Sequence, residues 1–360
     1  MKPYKIIISG GGTGGHLYPA LAIADEFQSR YNTAEILFVG ALGRIEMDKV
    51  PKSGYRIIGL WIDGIQRSLS IRNLMFPIKL VLSLFKSIFI LLKFKPDVVV
   101  GTGGFASGPL LFIAGVLKIP TLIQEQNSYP GITNKLLSKT VKTIAVAYQG
   151  LERFFPKEKL NLTGNPIRKS ITEGKLNPTE AKAFFKQIPG ILTLVILGGS
   201  LGAKRINQLI ATHLDTFEKQ GLQLIWQCGS LYYDQYKKHQ SERVKIMSFV
   251  AEIDKLYAAA DMVISRSGAA TLSELCCTAR PVLLVPSPNV AENHQYQNAM
   301  ALANKGAALV IAEKDLELNF SKCFKLLLDR KKRNEMSKNL KALAQPNATA
   351  KIVDLIEALL

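Results

Sequence analysis

Lys5-Ile6-Ile7-Ile8-Ser9-Gly10-Gly11-Gly12-Thr13-Gly14-Gly15-His16 decides the fold: an apolar run that ends in five glycines. A run apolar on both faces is what a parallel strand covered by helices requires. Glycines at its carboxyl end let the backbone turn tightly and approach a ligand before the next helix begins. A helical pattern follows from Pro19 to Tyr31. The same order of parts recurs along the chain. Strand-like runs lie at Glu35–Val39, Asp97–Gly101, Pro120–Ile123, Thr143–Ala147, Leu192–Leu197, Leu222–Cys228, Met262–Ser265 and Val282–Val285, with helical patterns such as Ala203–Lys219 and Asn293–Asn304 between them. Repeated strand–helix alternation predicts an α/β protein built from doubly wound parallel sheets.

Gly10, Gly12 and Gly15 satisfy the G-x-G-x-x-G spacing of a dinucleotide site. Two details oppose that reading. The second strand ends in Val39-Gly40-Ala41, without the acid that binds a ribose hydroxyl. Pro19 is expected to postpone the helix and lengthen the loop. Further glycine loops follow other strands, at Gly101–Pro109 and at Gly198-Gly199-Ser200-Leu201-Gly202-Ala203. Three such loops in one chain point to recognition of diphosphates by backbone amides and helix N-termini. The chain contains no Asp-X-Asp for a divalent metal, so neither a metal nor a cofactor is expected, and amides would stabilise a leaving diphosphate.

A chain of 360 residues is comfortable for two domains. Thr163-Gly164-Asn165-Pro166 combines turn formers with a proline, after which a second strand–glycine–helix series starts. Domains are therefore expected at 1–163 and 164–343, with a terminal helix over 344–360 packing back on the first. Two such domains would face each other across a cleft, with ligands at the carboxyl ends of the strands. The four cysteines show no paired C-x-x-C spacing, which suits small buried side chains in a reducing compartment. The N-terminus enters a strand at once, without a signal-peptide pattern, and the protein is expected to stay in the cytoplasm.

A formal charge of +18 calls for an anionic partner. Ile71–Phe94 is nearly as apolar as a membrane span, but Lys79, Lys86 and Lys93 interrupt it. With Arg72 they recur every seven residues along one helical face. The segment reads as a helix partly buried in its own domain and also touching an anionic membrane surface. The Arg330-Lys331-Lys332-Arg333 run invites nucleic acid, yet no recognition motif or aromatic-interleaved patch accompanies it, and no nucleic-acid partner is expected.

Taken in order, the motifs resemble one family: the UDP-N-acetylglucosamine:lipid I N-acetylglucosaminyltransferases of peptidoglycan synthesis. The residues that carry the resemblance are Gly11–His16 with Pro19-Ala20, Gly103–Pro109, Glu125-Gln126-Asn127 with Gly131 and Thr133-Asn134-Lys135, and Gly164-Asn165-Pro166-Ile167-Arg168. In the second half they are Gly198–Ala203 with Asn207, Arg266–Glu274, and Asn293–Ala299. The resemblance runs essentially end to end. It implies the two-domain fold called GT-B and two substrates, UDP-N-acetylglucosamine and lipid I (undecaprenyl-pyrophosphoryl-N-acetylmuramoyl-pentapeptide), met at the cytoplasmic face of the inner membrane. By that similarity the backbone at Val250 meets uracil and Glu274 accepts from the ribose hydroxyls. Ser200 and the turn Ala269, Ala270, Thr271, Leu272 and Ser273 surround the diphosphate, and Gln295 reads the sugar. Arg168 and Asn127 close the cleft, and Thr13, Gly14 and Gly15 reach the donor sugar.

The family transfers with inversion, so the acceptor's C4 hydroxyl attacks the anomeric carbon opposite the departing UDP. His16 and Glu125 are both candidates for the general base. Gly14–His16 and Thr102–Ser107 would cradle the acceptor's pyrophosphate. Another GT-B enzyme, a glycolipid transferase or an epimerase, is the alternative.

Overall fold

A computed structural model of the chain describes residues 3–64, 74–174, 176–199 and 201–360. The chain divides into two compact units, Met1–Ile167 with Pro346–Leu360, and Arg168–Gln345.

The first unit contains β1 (Lys5–Gly10), α1 (Gly14–Arg30), β2 (Glu35–Ala41), α2 (Glu46–Lys52), β3 (Arg56–Leu60), α3 (Phe76–Phe94), β4 (Val98–Gly103), α4 (Ser107–Val116), β5 (Thr121–Glu125), α5 (Ile132–Leu137), β6 (Thr143–Val146) and β7 (Leu160–Leu162). Its seven strands pair in the order β3-β2-β1-β4-β5-β6-β7, every pair parallel. The order reverses between β1 and β4, so both glycine loops of this unit leave the sheet at its switch point, where ligands of open α/β sheets bind. Ile6, Ile7, Ile8, Val98, Val99 and Val100 are fully buried, which is why these strands are continuous apolar runs.

The second unit contains α6 (Lys169–Thr172), α7 (Pro178–Phe184), β8 (Thr193–Leu197), α8 (Lys204–Thr212), α9 (Leu214–Lys219), β9 (Gln223–Gln227), α10 (Tyr233–Tyr236), β10 (Val244–Met247), α11 (Ile253–Ala259), β11 (Met262–Ser265), α12 (Ala269–Thr278), β12 (Val282–Leu284), α13 (His294–Ala303), β13 (Leu309–Val310), α14 (Leu316–Leu328) and α15 (Arg330–Leu343). Its six parallel strands run β10-β9-β8-β11-β12-β13, with the reversal between β8 and β11. The chain then returns to the first unit through α16 (Ala348–Glu357). Ile352, Val353 and Ile356 of α16 are fully buried in one core with Leu17, Ile23 and Phe27 of α1, and Arg30 bridges to Asp354 and Glu357.

Three expectations need correction. Pro19 does not postpone the first helix, which begins at Gly14 and contains the proline. The bond a proline removes here is to the carbonyl of Gly15, at the very start of the helix, where tilting one carbonyl away breaks little. The helix expected over Ala203–Lys219 breaks at His213 into α8 and α9. The helix expected from Asn293 starts one residue later, because Glu292 and Asn293 both take left-handed backbone, at φ 54° and 50°. Of the segment Ile71–Phe94, residues 71–73 lie outside the described part and α3 covers the rest from Phe76. Among the described residues no helix is long and apolar enough to cross a membrane.

Candidate active site

In the first unit the two glycine loops lock together through backbone contacts that only glycines permit. Gly103 and Gly104 sit at φ 98° and 92°, left-handed values that disfavour any side chain. A Cβ on Gly104 would strike the Gly11 carbonyl, and one on Gly103 would meet the His16 ring. The Thr102 hydroxyl donates to the His16 carbonyl at 2.8 Å.

His16 is thereby fixed in orientation. Its Nδ1 lies 3.0 Å from the Thr102 carbonyl oxygen and 3.2 Å from Oε1 of Gln126. Both facing atoms are acceptors, so the neutral ring must carry its proton on Nδ1, which leaves the Nε2 lone pair free to take a proton. Gln126 holds its own pose by donating from Nε2 to the Thr102 carbonyl at 2.7 Å.

Glu125 is arranged differently. Its Oε1 accepts from the Asn127 backbone N–H at 3.0 Å and side-chain amide at 3.1 Å, and its Oε2 from Gly131 N–H at 3.1 Å and the Asn134 amide at 2.8 Å. Four N–H donors fill the acceptor directions of a carboxylate that is 1% exposed. This geometry suits a clamp on the segment from Asn127 to Asn134 better than a base. Asn165 belongs to the same unit, where it accepts from Gln124 at 3.0 Å and donates to the Gln126 carbonyl at 3.1 Å.

In the second unit, Gly268 in extended backbone opens the ten-residue helix α12. The Leu272 N–H already bonds back to Gly268, which leaves the first-turn amides of Ala269, Ala270 and Thr271 as the ready-made anion site of a helix start. The Ser273 hydroxyl is turned back onto the Ala269 carbonyl at 3.1 Å, and Leu272 is buried beneath the turn. The loop after β8 is braced by Gln227, whose amide donates to the Gly199 carbonyl at 2.8 Å and accepts from its N–H at 3.2 Å. Ser200 lies outside the described residues.

Glu274 lies one turn into α12, and the hydroxyl of fully buried Tyr257 donates to its Oε2 at 2.9 Å. Burial pushes the Glu274 carboxyl above its ordinary range, against the opposing pull of the Tyr257 hydrogen bond and the Arg168 cation. Gln295 accepts the Ser287 N–H on its Oε1 at 2.9 Å, so its Nε2 is the end left to donate outward. Its backbone carbonyl accepts the Ser267 hydroxyl at 2.8 Å. Val250 is buried in the loop between β10 and α11.

The structure thus brings Thr13, Gly14, Gly15, His16, Glu125 and Asn127 to one unit. Arg168, Val250, Ala269–Glu274 and Gln295 fall in the other. Sequence reasoning missed Tyr257 and Gln227, and it gave Gln126 no role although the residue lies in a quoted motif, because the partners of all three are distant in the chain.

Comparisons with known proteins give the family. The glycosyltransferase family 28 N-terminal domain matches residues 6–146, and the glycosyltransferase family 28 C-terminal domain matches residues 193–356. A protein of Flavobacterium psychrophilum, named UDP-N-acetylglucosamine--N-acetylmuramyl-(pentapeptide) pyrophosphoryl-undecaprenol N-acetylglucosamine transferase, is 56% identical over 99% of this chain and 98% of its own. A protein of the same name from Parabacteroides distasonis is 48% identical over 99% of this chain and 98% of its own. Among solved structures, Acinetobacter baumannii MurG superposes with a TM-score of 0.80 at 28% identity, covering 99% of this chain and all of that one. A UDP-N-acetylglucosamine 2-epimerase matches with a TM-score of 0.64 at 13% identity over 98% of this chain and 95% of its own, which is a likeness of fold alone.

Proposed function

The chain belongs to glycosyltransferase family 28, and from that premise we propose that it is a UDP-N-acetylglucosamine-dependent hexosyltransferase that forms lipid II. It moves N-acetylglucosamine from UDP-N-acetylglucosamine to the C4 hydroxyl of the N-acetylmuramoyl sugar of lipid I. The observation that carries this reading is the end-to-end likeness to relatives named for that reaction, in a chain whose glycine loops sit at both sheet switch points.

The chemistry follows from the residues. The acceptor oxygen forms a bond to the anomeric carbon as the bond from that carbon to UDP breaks, with inversion and oxocarbenium character. The hydroxyl's proton passes to Nε2 of His16, whose Nδ1 proton is held by two oxygen acceptors. Departing negative charge on UDP is met by the amides of Ala269, Ala270 and Thr271 and by the positive end of α12. Glu274 accepts from the ribose, the Val250 backbone meets uracil, Gln295 donates to the sugar, and Ser200 and Ser273 flank the diphosphate. Arg168, next in charge influence to Glu274, and Asn127 complete the binding set. Thr13, Gly14 and Gly15 present their backbone to the donor sugar. The acceptor's pyrophosphate takes the amides of Gly14–His16 and of Thr102–Ser107.

The enzyme is held at the cytoplasmic face of the inner membrane by α3. Ile78, Val81, Leu82, Phe85, Phe89 and Leu92 form an exposed apolar stripe on this helix, with Phe85 at 66% and Phe89 at 65% exposure. Anionic lipid suits the basic residues beside it, with one refinement. Lys79 pairs with Asp63 over the Trp61 ring and Lys86 donates to the Gly59 carbonyl at 2.7 Å. Lys79 is therefore neutralised within the domain, while Lys86, bonded only to a neutral carbonyl, and Lys93 are exposed and keep their charge for lipid.

A labelled-donor assay with a lipid I analogue tests the function. The wild-type protein is expected to label the analogue, and His16→Ala to lose about 10²–10⁴-fold in turnover while calorimetry shows unchanged donor affinity. Label appearing only as an epimerised donor, or full turnover by His16→Ala, would overturn the reading.

A further inference from the structure

Glu46, the first residue of α2, has no exposure to solvent. Its Oε2 accepts the Gly12 N–H at 2.8 Å, and its Oε1 accepts the Ala41 N–H at 3.0 Å. One carboxylate therefore bridges the crest of the first glycine loop to the end of the neighbouring strand β2. The surrounding glycines are shaped to admit it, since a Cβ on Gly11 would collide with the carboxylate and one on Gly40 with its stem.

Both of these partners are neutral peptide amides. Burying an acid among them is costly, and an apolar side chain of similar volume would serve the core as well or better. The geometry of the bond shows what the acid supplies instead. Gly12 lies at φ 83°, a left-handed bend that turns the chain from β1 toward α1, and its N–H is drawn inward onto Glu46. The amides that follow it, at Gly14 and Gly15, belong to the first turn of α1, where backbone N–H groups have no acceptor within the helix. The other side of the loop is held by Gly103 and Thr102, so the loop is fixed from two directions.

We infer that Glu46 is a positioning residue for the transfer reaction, which holds the first glycine loop in the shape that carries Thr13–His16 to the acceptor. The inference rests on the assignment of that loop to the reaction, and it goes beyond it in naming what fixes the loop. A buried carboxylate with one oxygen per amide makes two charge-assisted bonds. Glu46→Gln keeps the shape but offers one acceptor and one N–H, so one of the two amides must lose its partner. Glu46→Asp keeps the charge but falls one methylene short of bridging both.

Three measurements decide the matter. In the wild-type protein the Gly12 amide is expected to exchange with solvent as slowly as the amides of β1; exchange at the rate of an open loop would overturn the inference, whether or not any variant folds. In Glu46→Gln, kcat with a lipid I analogue should fall about 10- to 100-fold, the loss of one bond to a charged group. Its UDP-N-acetylglucosamine Kd, measured by calorimetry, should stay within twofold. Glu46→Asp should be equally slow, since bridging rather than charge is what matters. Folded Glu46→Gln or Glu46→Asp with kcat within threefold of wild type would sink the proposal. If His16→Ala keeps its turnover, the base assignment fails by itself and the Gly12 exchange result stands. If His16→Ala is dead and both Glu46 variants are active, only the present inference fails.

Discussion

At the scale of single residues, Glu274 and Tyr257 give the pH dependence of donor binding its sign. Burial holds the Glu274 carboxyl above its ordinary range, and the Tyr257 hydroxyl works in the opposite direction. Ribose hydroxyls bind an ionised acceptor more strongly than a neutral one. UDP affinity should therefore weaken as pH falls through a value higher than a free glutamate would set. Tyr257→Phe removes a bond that favours the charged form, so this acid limb should move to higher pH. Glu274→Gln should bind about 10- to 100-fold more weakly and lose that limb, leaving only the titration of UDP itself. Calorimetry from pH 5 to 8 on the three proteins checks all of this, and an unmoved limb in Tyr257→Phe would contradict it. A raised acid also makes stability fall as pH rises, between its unfolded and folded values, because the native state binds the extra proton there. Much of the site could be read from the chain because glycine loops and the run Arg266–Glu274 are contiguous. Tyr257 lies 17 residues before Glu274, and Glu46 lies 34 residues after Gly12. Such partners meet only through the fold, and no local pattern announces them.

At the scale of elements, α3 joins the Lys79–Asp63 ion pair to an apolar stripe that is exposed among the described residues, and the two should separate experimentally. Transferring an exposed aromatic ring into a bilayer interface is worth about 1.5–3 kcal/mol. Replacing Phe85 and Phe89 with serine should thus weaken binding to anionic vesicles by about 10²-fold or more, seen by vesicle sedimentation. Turnover on a short-chain acceptor in solution should remain within about threefold. Lys79→Ala should lower the melting temperature, because Lys79 holds Asp63 and covers Trp61, and should change sedimentation little. Equal loss from both variants would refute this division of labour. The legibility of the sheets has the same physical root as the stripe. Central strands such as β1, β4, β8 and β11 are covered on both faces and stand out as unbroken apolar runs. The strands that sequence reading missed, β3, β7, β10 and β13, are the four edges of the two sheets. There one side meets solvent, as in the half-exposed Leu160–Leu162, and the runs are either broken by polar residues or, in β13, only two residues long.

At the scale of the whole molecule, the order of the chain and the order of the fold disagree, and stability should show it. The first unit is complete only when residues 346–360 return to it after the second unit has been built. Ile352, Val353 and Ile356 have no exposed surface, and Arg30 makes ion pairs with Asp354 and Glu357 from the facing helix. Removing a side chain from such a packed site costs both its transfer energy and a cavity, about 2–5 kcal/mol for Ile352→Ala. The ion pairs are partly solvated and add little to that sum. A chain ended after Gln345 loses all three apolar side chains at once, a loss comparable to the stability of an entire domain. It should therefore fail to fold Met1–Ile167 while Arg168–Gln345, which contains all six strands of its own sheet, keeps a cooperative melt and its affinity for UDP. Calorimetry of the truncated protein, with hydrogen exchange to assign the surviving transition, provides the check. A truncated protein that still protects the amides of β1 and β4 would show that the returning helix only decorates a core already sufficient without it.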